Sequence, residues 1–241
     1  MSGEVWRAAG AAAERWAAAK AFLAEPVTGL CHVKLCGMFR DEDVDAVEVV
    51  HPDLCGFVVD FPKSHRSVTP ERLSALCARM DTAEAACPDE PHVWRVGVFV
   101  DEPPAEVARI VRECGLDVAQ LHGHEDAAYV RELRREAPEL GLIQAFRVAC
   151  ESDVARACAS EADMVLLDNG QGTGERFDWS LTALATRPFM LAGGLSPDNV
   201  AMAVEQVHPW GVDMSSGIET ARLKDPAKME AALTAVRGVK L

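Results

Sequence analysis

No stretch of this 241-residue chain approaches the roughly 20 consecutive apolar side chains of a membrane span. The first residues lack the uninterrupted apolar core of a signal peptide. Positive charge is short as well: 24 Lys and Arg stand against 38 Asp and Glu, for a formal net charge of −14. That balance excludes non-specific nucleic-acid binding, which needs a basic surface, and any anionic ligand must be held by local positive features. The eight cysteines include no C-x-x-C pair and no Cys/His quartet at zinc spacing, so no metal module is expected. A reducing, cytoplasmic compartment with free thiols is the expectation. Also missing is a G-x-G-x-x-G after the first apolar run, which counts against a doubly wound dinucleotide-binding sheet.

What is present is one rhythm repeated eight times. Short β-type runs occur at 32–36, 54–59, 93–100, 117–122, 141–148, 163–168, 189–193 and 211–216. Most are apolar without clean alternation, as parallel strands covered on both faces are. Between them lie helical stretches. "TPERLSALCARM" opens with Thr69 as N-cap and Pro70 behind it, and "EPPAEVARIVREC" carries Val107, Ile110 and Val111 on one face before Gly115. "SPDNVAMAVEQV" is expected to open in the same way, with Ser196 as cap. Eight β–α units imply an α/β fold, a single (β/α)₈ TIM barrel over residues 31–241, preceded by an N-terminal helical extension at 1–30.

Functional residues of such a barrel sit at the C-terminal ends of its strands. The first strand ends at Cys36-Gly37, where the thiol could be core filler, a metal ligand, a redox thiol or a catalytic base. Lys34, two residues back, shares its side of the strand, either paired with a carboxylate or favouring the thiolate. In "LAGGLSPDNV" and "DMSSGIET", Gly193, Gly194, Ser215, Ser216 and Gly217 follow the seventh and eighth strands, the recurrent phosphate site of this fold. Asp168 closes the sixth strand before a loop containing Gly170, Gly172 and Gly174, and Gly172 is expected to contact substrate. Burial there would raise the Asp168 pKa and suit it to donate a proton. Gln120 and His122 point the same way across Leu121 and are candidate cavity residues, with His122 equally readable as a core histidine. Arg147 and Asp213 are weaker candidates of the same kind.

Taken in order, "VKLCG", "GFVVDFPKSHRSVTPERL", "VGVFVDEP", "VAQLHGHED", "AFRV", "LLDNGQGTGERFDW", "LAGGLSPDNV" and "GVDMSSGIE…KDPAKM" resemble phosphoribosylanthranilate isomerase of tryptophan biosynthesis. The resemblance runs from about Val33 to the C-terminus. It implies an Amadori rearrangement of a small phosphorylated substrate with no cofactor, with Cys36 as general base and Asp168 as general acid. It also implies Arg66 as ligand of the anthranilate carboxylate, a role that suits a permanently charged, two-pronged guanidinium. Phe39 and Asp60 depart from the family pattern, at positions bearing on substrate fit. Two other readings remain: another sugar-phosphate isomerase or lyase, and a non-enzymatic sugar-phosphate binder needing neither Cys36 nor Asp168.

The first thirty residues have no counterpart in that pattern. Alanine-rich "EVWRAAGAAAERWAAAKAFLAEP" favours helix up to Pro26, and Trp6, Ala9, Ala13, Trp16, Ala19 and Leu23 form an apolar stripe. Lys20 interrupts the stripe and must snorkel. Two indoles on one face call for burial, at the barrel floor or on a second subunit, so the chain is expected as a monomer or a homodimer.

Overall fold

The computed structural model describes residues 3–27, 29–168 and 179–240, with side chains from residue 12 onward. Eight parallel strands close on themselves: β1 (His32–Cys36), β2 (Leu54–Val59), β3 (Trp94–Phe99), β4 (Val118–Leu121), β5 (Gly141–Arg147), β6 (Met164–Asp168), β7 (Phe189–Leu191) and β8 (Gly211–Met214). Closure comes from β1 pairing with both neighbours, Lys34 opposite Leu54 of β2 and opposite Asp213 of β8. Helices follow the strands: α2 (Asp41–Val50), α3 (Pro70–Ala86), α4 (Pro104–Cys114), α5 (Ala127–Glu136), α6 (Glu151–Cys158), α7 (Val200–Val207) and α8 (Pro226–Arg237), with α1 (Gly3–Leu23) before β1. The sequence signals at α3 and α4 act as read: Thr69 Oγ1 accepts from the Arg72 N–H, and Gly115 ends α4 in the left-handed conformation.

Two expectations change. After β6 the described chain forms only a 3₁₀ turn, Trp179–Leu184, and the Gly-rich loop before it, including Gly172, lies outside the described residues. After β7 the helix starts at Val200 rather than behind Ser196. Asn199 is the reason: its Oδ1 accepts from the Ser196 N–H at 2.9 Å and its Nδ2 donates to the Gly194 carbonyl at 2.9 Å, so residues 194–199 close as a side-chain-braced turn.

The period of two along each strand divides the core. Val33, Leu35, Cys55, Phe57, Val165 and Leu167 face outward and pack with the helices in one apolar shell. Leu54, Val96, Val118, Ile143, Met164, Leu166 and Met190 face inward with Ala19, Leu23 and Trp210. The end of α1 therefore seals the barrel at the start of its strands. Trp16 is buried and donates Nε1–H to the Leu116 carbonyl at 2.8 Å, and Lys20 reaches the Pro138 carbonyl at 3.1 Å. Phe22 packs edge-on to His32 and Trp210. Ala13 is exposed, contrary to the expected stripe, because the packed face turns through Trp16, Ala19, Phe22 and Leu23; the Trp6 and Ala9 side chains lie outside the described ones. None of the described helices is long and apolar enough to cross a membrane.

Candidate active site

Along β1 the inward side chains are His32, Lys34 and Cys36, so the alternation carries the chain from the floor, through a buried cation, to a thiol at the mouth. Lys34 is fully buried, and its ammonium sits 3.0 Å from Asp213 Oδ1, across the register that pairs the two residues. Gly56, their inward neighbour on β2, makes the room. A Cβ there would stand 2.7 Å from the Cys36 sulfur and 3.1 Å from Lys34 Nζ.

Burial pushes the Cys36 thiol above its ordinary pKa; Lys34 pulls it down, Asp213 pushes it up, and Lys224 pulls it down. Lys34 thus favours the thiolate, as the sequence suggested, but much of its charge is spent on Asp213. The Lys34 pKa is itself raised: burial works against the ammonium, and Asp213 together with Cys36 outweighs it. Cys36 rests as a thiol beside a buried ion pair.

Above this pair a cavity of about 260 Å³ opens at the C-terminal ends of the strands. Its wall includes Cys36, Arg66, Gln120, His122, Asp168 and Asp213, together with Gly193, Gly194, Ser215 and Ser216. Val58, Val98, Phe61 and Leu195 supply its apolar part. Gln120 is buried, its amide nitrogen lies 2.9 Å from His122 Nδ1, and His122 Nε2 lies 3.6 Å from Asp168 Oδ2. The Gln120 side-chain carbonyl oxygen is buried without a hydrogen-bond partner among the described residues.

Other expected residues fall at the margins. Gly217 sits against the Leu195 carbonyl, where any Cβ would collide, so it locks the two glycine loops together rather than lining the space. Ser215 lines it, but its hydroxyl is engaged with the Cys36 carbonyl at 3.0 Å. Arg147, opposite Asp168 in the β5–β6 register, is exposed and outside the wall. Phe39 packs on the core and on His65, and Asp60 has a left-handed φ of 44° beside the loop that carries Phe61. Among the described residues no group of three His, Cys, Asp or Glu side chains could hold a metal ion, and all eight cysteines are free.

Arg66 meets an unexpected partner. Its Nε and Nη2 donate to the two oxygens of Glu219 at 2.6 and 2.8 Å, and Glu219 Oε1 also accepts from Lys224 at 2.8 Å. The Arg66 stem passes over Gly37, whose φ of 85° suits glycine and where a Cβ would stand 2.5 Å from Arg66 Cδ. Glu219 and Lys224 escape a reading of the sequence because they lie 153 and 158 positions beyond Arg66 in the chain (219 − 66 and 224 − 66). Their only local signal is a glutamate and a lysine flanking a short turn before the Pro226 helix start.

Residues 33–235 match the family model described as N-(5'phosphoribosyl)anthranilate (PRA) isomerase. The N-(5'-phosphoribosyl)anthranilate isomerase of Pseudomonas fluorescens is 38% identical over 213 residues, 85% of this chain and 94% of its own length. Phosphoribosyl anthranilate isomerase from Thermotoga maritima superposes with a TM-score of 0.74 at 32% identity, covering 87% of this chain and all of its own. A phosphoribosyl anthranilate isomerase in complex with reduced 1-(o-carboxyphenylamino)-1-deoxyribulose 5-phosphate superposes with a TM-score of 0.72, also at 32% identity and with 87% of this chain and all of its own covered. With a family match that spans every barrel strand from Val33 on, and an α1 that falls outside it, this chain belongs to the N-(5'-phosphoribosyl)anthranilate isomerase family.

Proposed function

We propose that the cavity at the barrel mouth carries out the Amadori rearrangement of N-(5′-phosphoribosyl)anthranilate to 1-(2-carboxyphenylamino)-1-deoxyribulose 5-phosphate, with Cys36 as general base and Asp168 as general acid. The observation that carries the reading is that one cavity holds both groups together with two glycine loops at adjacent strand ends. Aldose and ketose are isomers, so the chemistry needs only proton transfers.

Asp168 donates its proton to the ribofuranose ring oxygen. The anilino nitrogen pushes its lone pair toward C1′, the C1′–O bond breaks, and an open, protonated Schiff base forms. Cys36 then removes the C2′ proton, giving an enolamine that tautomerises to the amino ketone. The open Schiff base is cationic at nitrogen, which acidifies C2′–H and eases the task of a base that rests largely protonated. The backbone of residues 193–194 and 215–216 receives the phosphate, where the glycines let N–H groups come close to an anion and Gly217 holds the two loops together. Arg66 takes the ortho-carboxylate of the anthranilate ring. Lys34 and Asp213 serve below Cys36 rather than touching the sugar, while Gln120 and His122 face it. His122 lies where it can hold the Asp168 carboxylate in place between turnovers. A cytoplasmic setting suits eight free thiols.

Incubating the purified chain with N-(5′-phosphoribosyl)anthranilate and following its fluorescence tests the proposal. Loss of the signal, with formation of the ketose product, is the expected result. Binding without conversion would leave a sugar-phosphate-binding protein instead.

A further inference from the structure

Behind Arg66 and Ser215 of the cavity wall lies a buried ion pair, Glu219 and Lys224, that the reaction above does not use. Glu219 and Lys224 belong to a two-stranded turn, Glu219–Thr220 paired with Leu223–Lys224, that follows β8. Both side chains are nearly excluded from solvent. The Lys224 ammonium donates to Glu219 at 2.8 Å and to the Ser215 carbonyl at 3.0 Å, and it lies 3.4 Å from the Ser215 hydroxyl. That hydroxyl donates to the Cys36 carbonyl. The chain of contacts therefore runs from Arg66 through Glu219 and Lys224 to the phosphate loop and on to the backbone of the proposed base.

We propose that Glu219 and Lys224 are positioning residues for this reaction, with Glu219 aligning Arg66 for the substrate's ortho-carboxylate and Lys224 tying that alignment to the phosphate loop. The inference rests on the reading of Arg66 given above. A guanidinium offers more than one pair of parallel donors, and Glu219 occupies the Nε–Nη2 edge. Nη1 makes no hydrogen bond among the described residues, so the Nη1–Nη2 edge is left for a second carboxylate. Both Glu219 oxygens already accept from Arg66 and Lys224, whose two positive charges outweigh its repulsion of an incoming anion. Arg66, Lys224 and Glu219 together keep one positive charge for the substrate. Burial alone would lift the Glu219 carboxyl, yet the hydrogen bonds and charges of Arg66 and Lys224 hold it down at about 2, so it stays ionised whenever the enzyme is folded and working. Without Glu219, the Arg66 side chain would spread over many rotamers, and ordering it would fall to the substrate.

The experiment compares ligands with and without the carboxylate on wild type and on variants of the network. Reduced 1-(o-carboxyphenylamino)-1-deoxyribulose 5-phosphate carries the carboxylate, and its phenylamino analogue does not. Glu219→Gln should weaken the first about tenfold, or about 1.4 kcal/mol, raise KM to match, and leave kcat within about threefold; the analogue and inorganic phosphate should bind as to wild type. Combined with Arg66→Ala, the same change should add nothing. Lys224→Met should act in the same direction and also weaken inorganic phosphate. Equal loss of both ligands in Glu219→Gln, or no loss of either, would overturn the positioning role. An Arg66→Ala variant that binds both ligands normally would instead overturn the reading of Arg66 itself. Should Glu219→Gln unfold, Glu219→Asp decides in its place: carboxylate-selective weakening supports the proposal and unselective weakening contradicts it.

Discussion

Each strand of the barrel runs from a floor to a mouth, and the same period of two furnishes both ends. On β1, His32 faces the floor among Phe22 and Trp210, while Cys36, two steps of alternation later, faces the cavity. On β4 Val118 belongs to the floor cluster and Gln120 to the cavity wall. The floor is closed by α1, and its charged groups hold backbone and helices together. Arg15 reaches Asp117 at 2.5 Å, Asp117 also takes His92 at 2.9 Å, and His92 bridges to Glu84, which receives Arg95. At the mouth the charged groups surround open space. The difference separates stability from chemistry: what α1 covers lies away from the proposed catalytic groups, and those stand where the fold leaves a cavity unfilled.

Variants at the two ends should therefore fail in different ways. The largest effect on turnover outside Cys36 is expected for Asp168→Asn, since an amide cannot protonate the ring oxygen. Steady-state kinetics should give a kcat lower by about 10²–10⁴-fold with little change in melting temperature. A variant that keeps wild-type turnover would remove Asp168 from the acid role. Next comes Arg66→Ala, which should weaken product-analogue binding by roughly ten- to a hundred-fold, the worth of a charge-assisted pair. Titration calorimetry checks it, and unchanged affinity would mean that the carboxylate is held elsewhere.

Removing residues 1–28 attacks the other end. It exposes the floor aromatics and deletes the packing of Trp16, Ala19, Phe22 and Leu23, on the order of 6 kcal/mol of gross apolar burial, partly offset by the ordering entropy the helix no longer costs. The melting temperature should fall by about 10 °C while KM stays nearly constant. A folded truncation that no longer binds substrate would erase the separation between floor and mouth.

The smallest effects are in the pH dependence of stability, where the two ends should again part. Burial works against a charged His92, but Asp117 and Glu84 outweigh it and raise its pKa from 6.5 to about 9. Its stabilisation is full below pH 6.5 and fades as pH rises through 9. His92→Gln should thus flatten the alkaline decline of the wild-type melting curve. Glu219, held at about 2 against an ordinary 4.5, stabilises above pH 4.5 and loses that contribution as pH falls toward 2. Glu219→Gln should flatten the acid decline instead. Matching pH profiles for wild type and both variants would contradict these pairings.

Much of this arrangement is legible in the chain itself. The eight strand positions follow from apolar runs, and the period of two then aligns Lys34 with Cys36 along β1 and Gln120 with His122 along β4, both pairs facing the barrel interior. The cap at Thr69 and the stop at Gly115 are local chemistry and read correctly. What escaped depends on contacts distant in sequence. Nothing near Arg66 announces Glu219, and no pattern in the turn before α8 says that Lys224 is buried. At the start of α7, Ser196 and Pro197 look like a cap in the sequence, whereas Asn199 uses its side chain to brace the loop behind Gly194. Helical spacing from Trp6 puts Ala13 on the apolar stripe, but the face that packs is set by the barrel floor and leaves Ala13 exposed.

The account turns on the thiol that β1 delivers to the mouth, and Cys36→Ala tests it most directly. With N-(5′-phosphoribosyl)anthranilate as substrate, the variant should bind the reduced product analogue as tightly as wild type and lose about 10²–10⁴-fold in kcat. Wild-type kcat/KM should still be rising with pH above neutrality, as a buried thiol held above its ordinary pKa gives up its proton, and that rise should vanish in the variant. Turnover near the wild-type level by Cys36→Ala, with the same pH profile, would show that another group takes the C2′ proton.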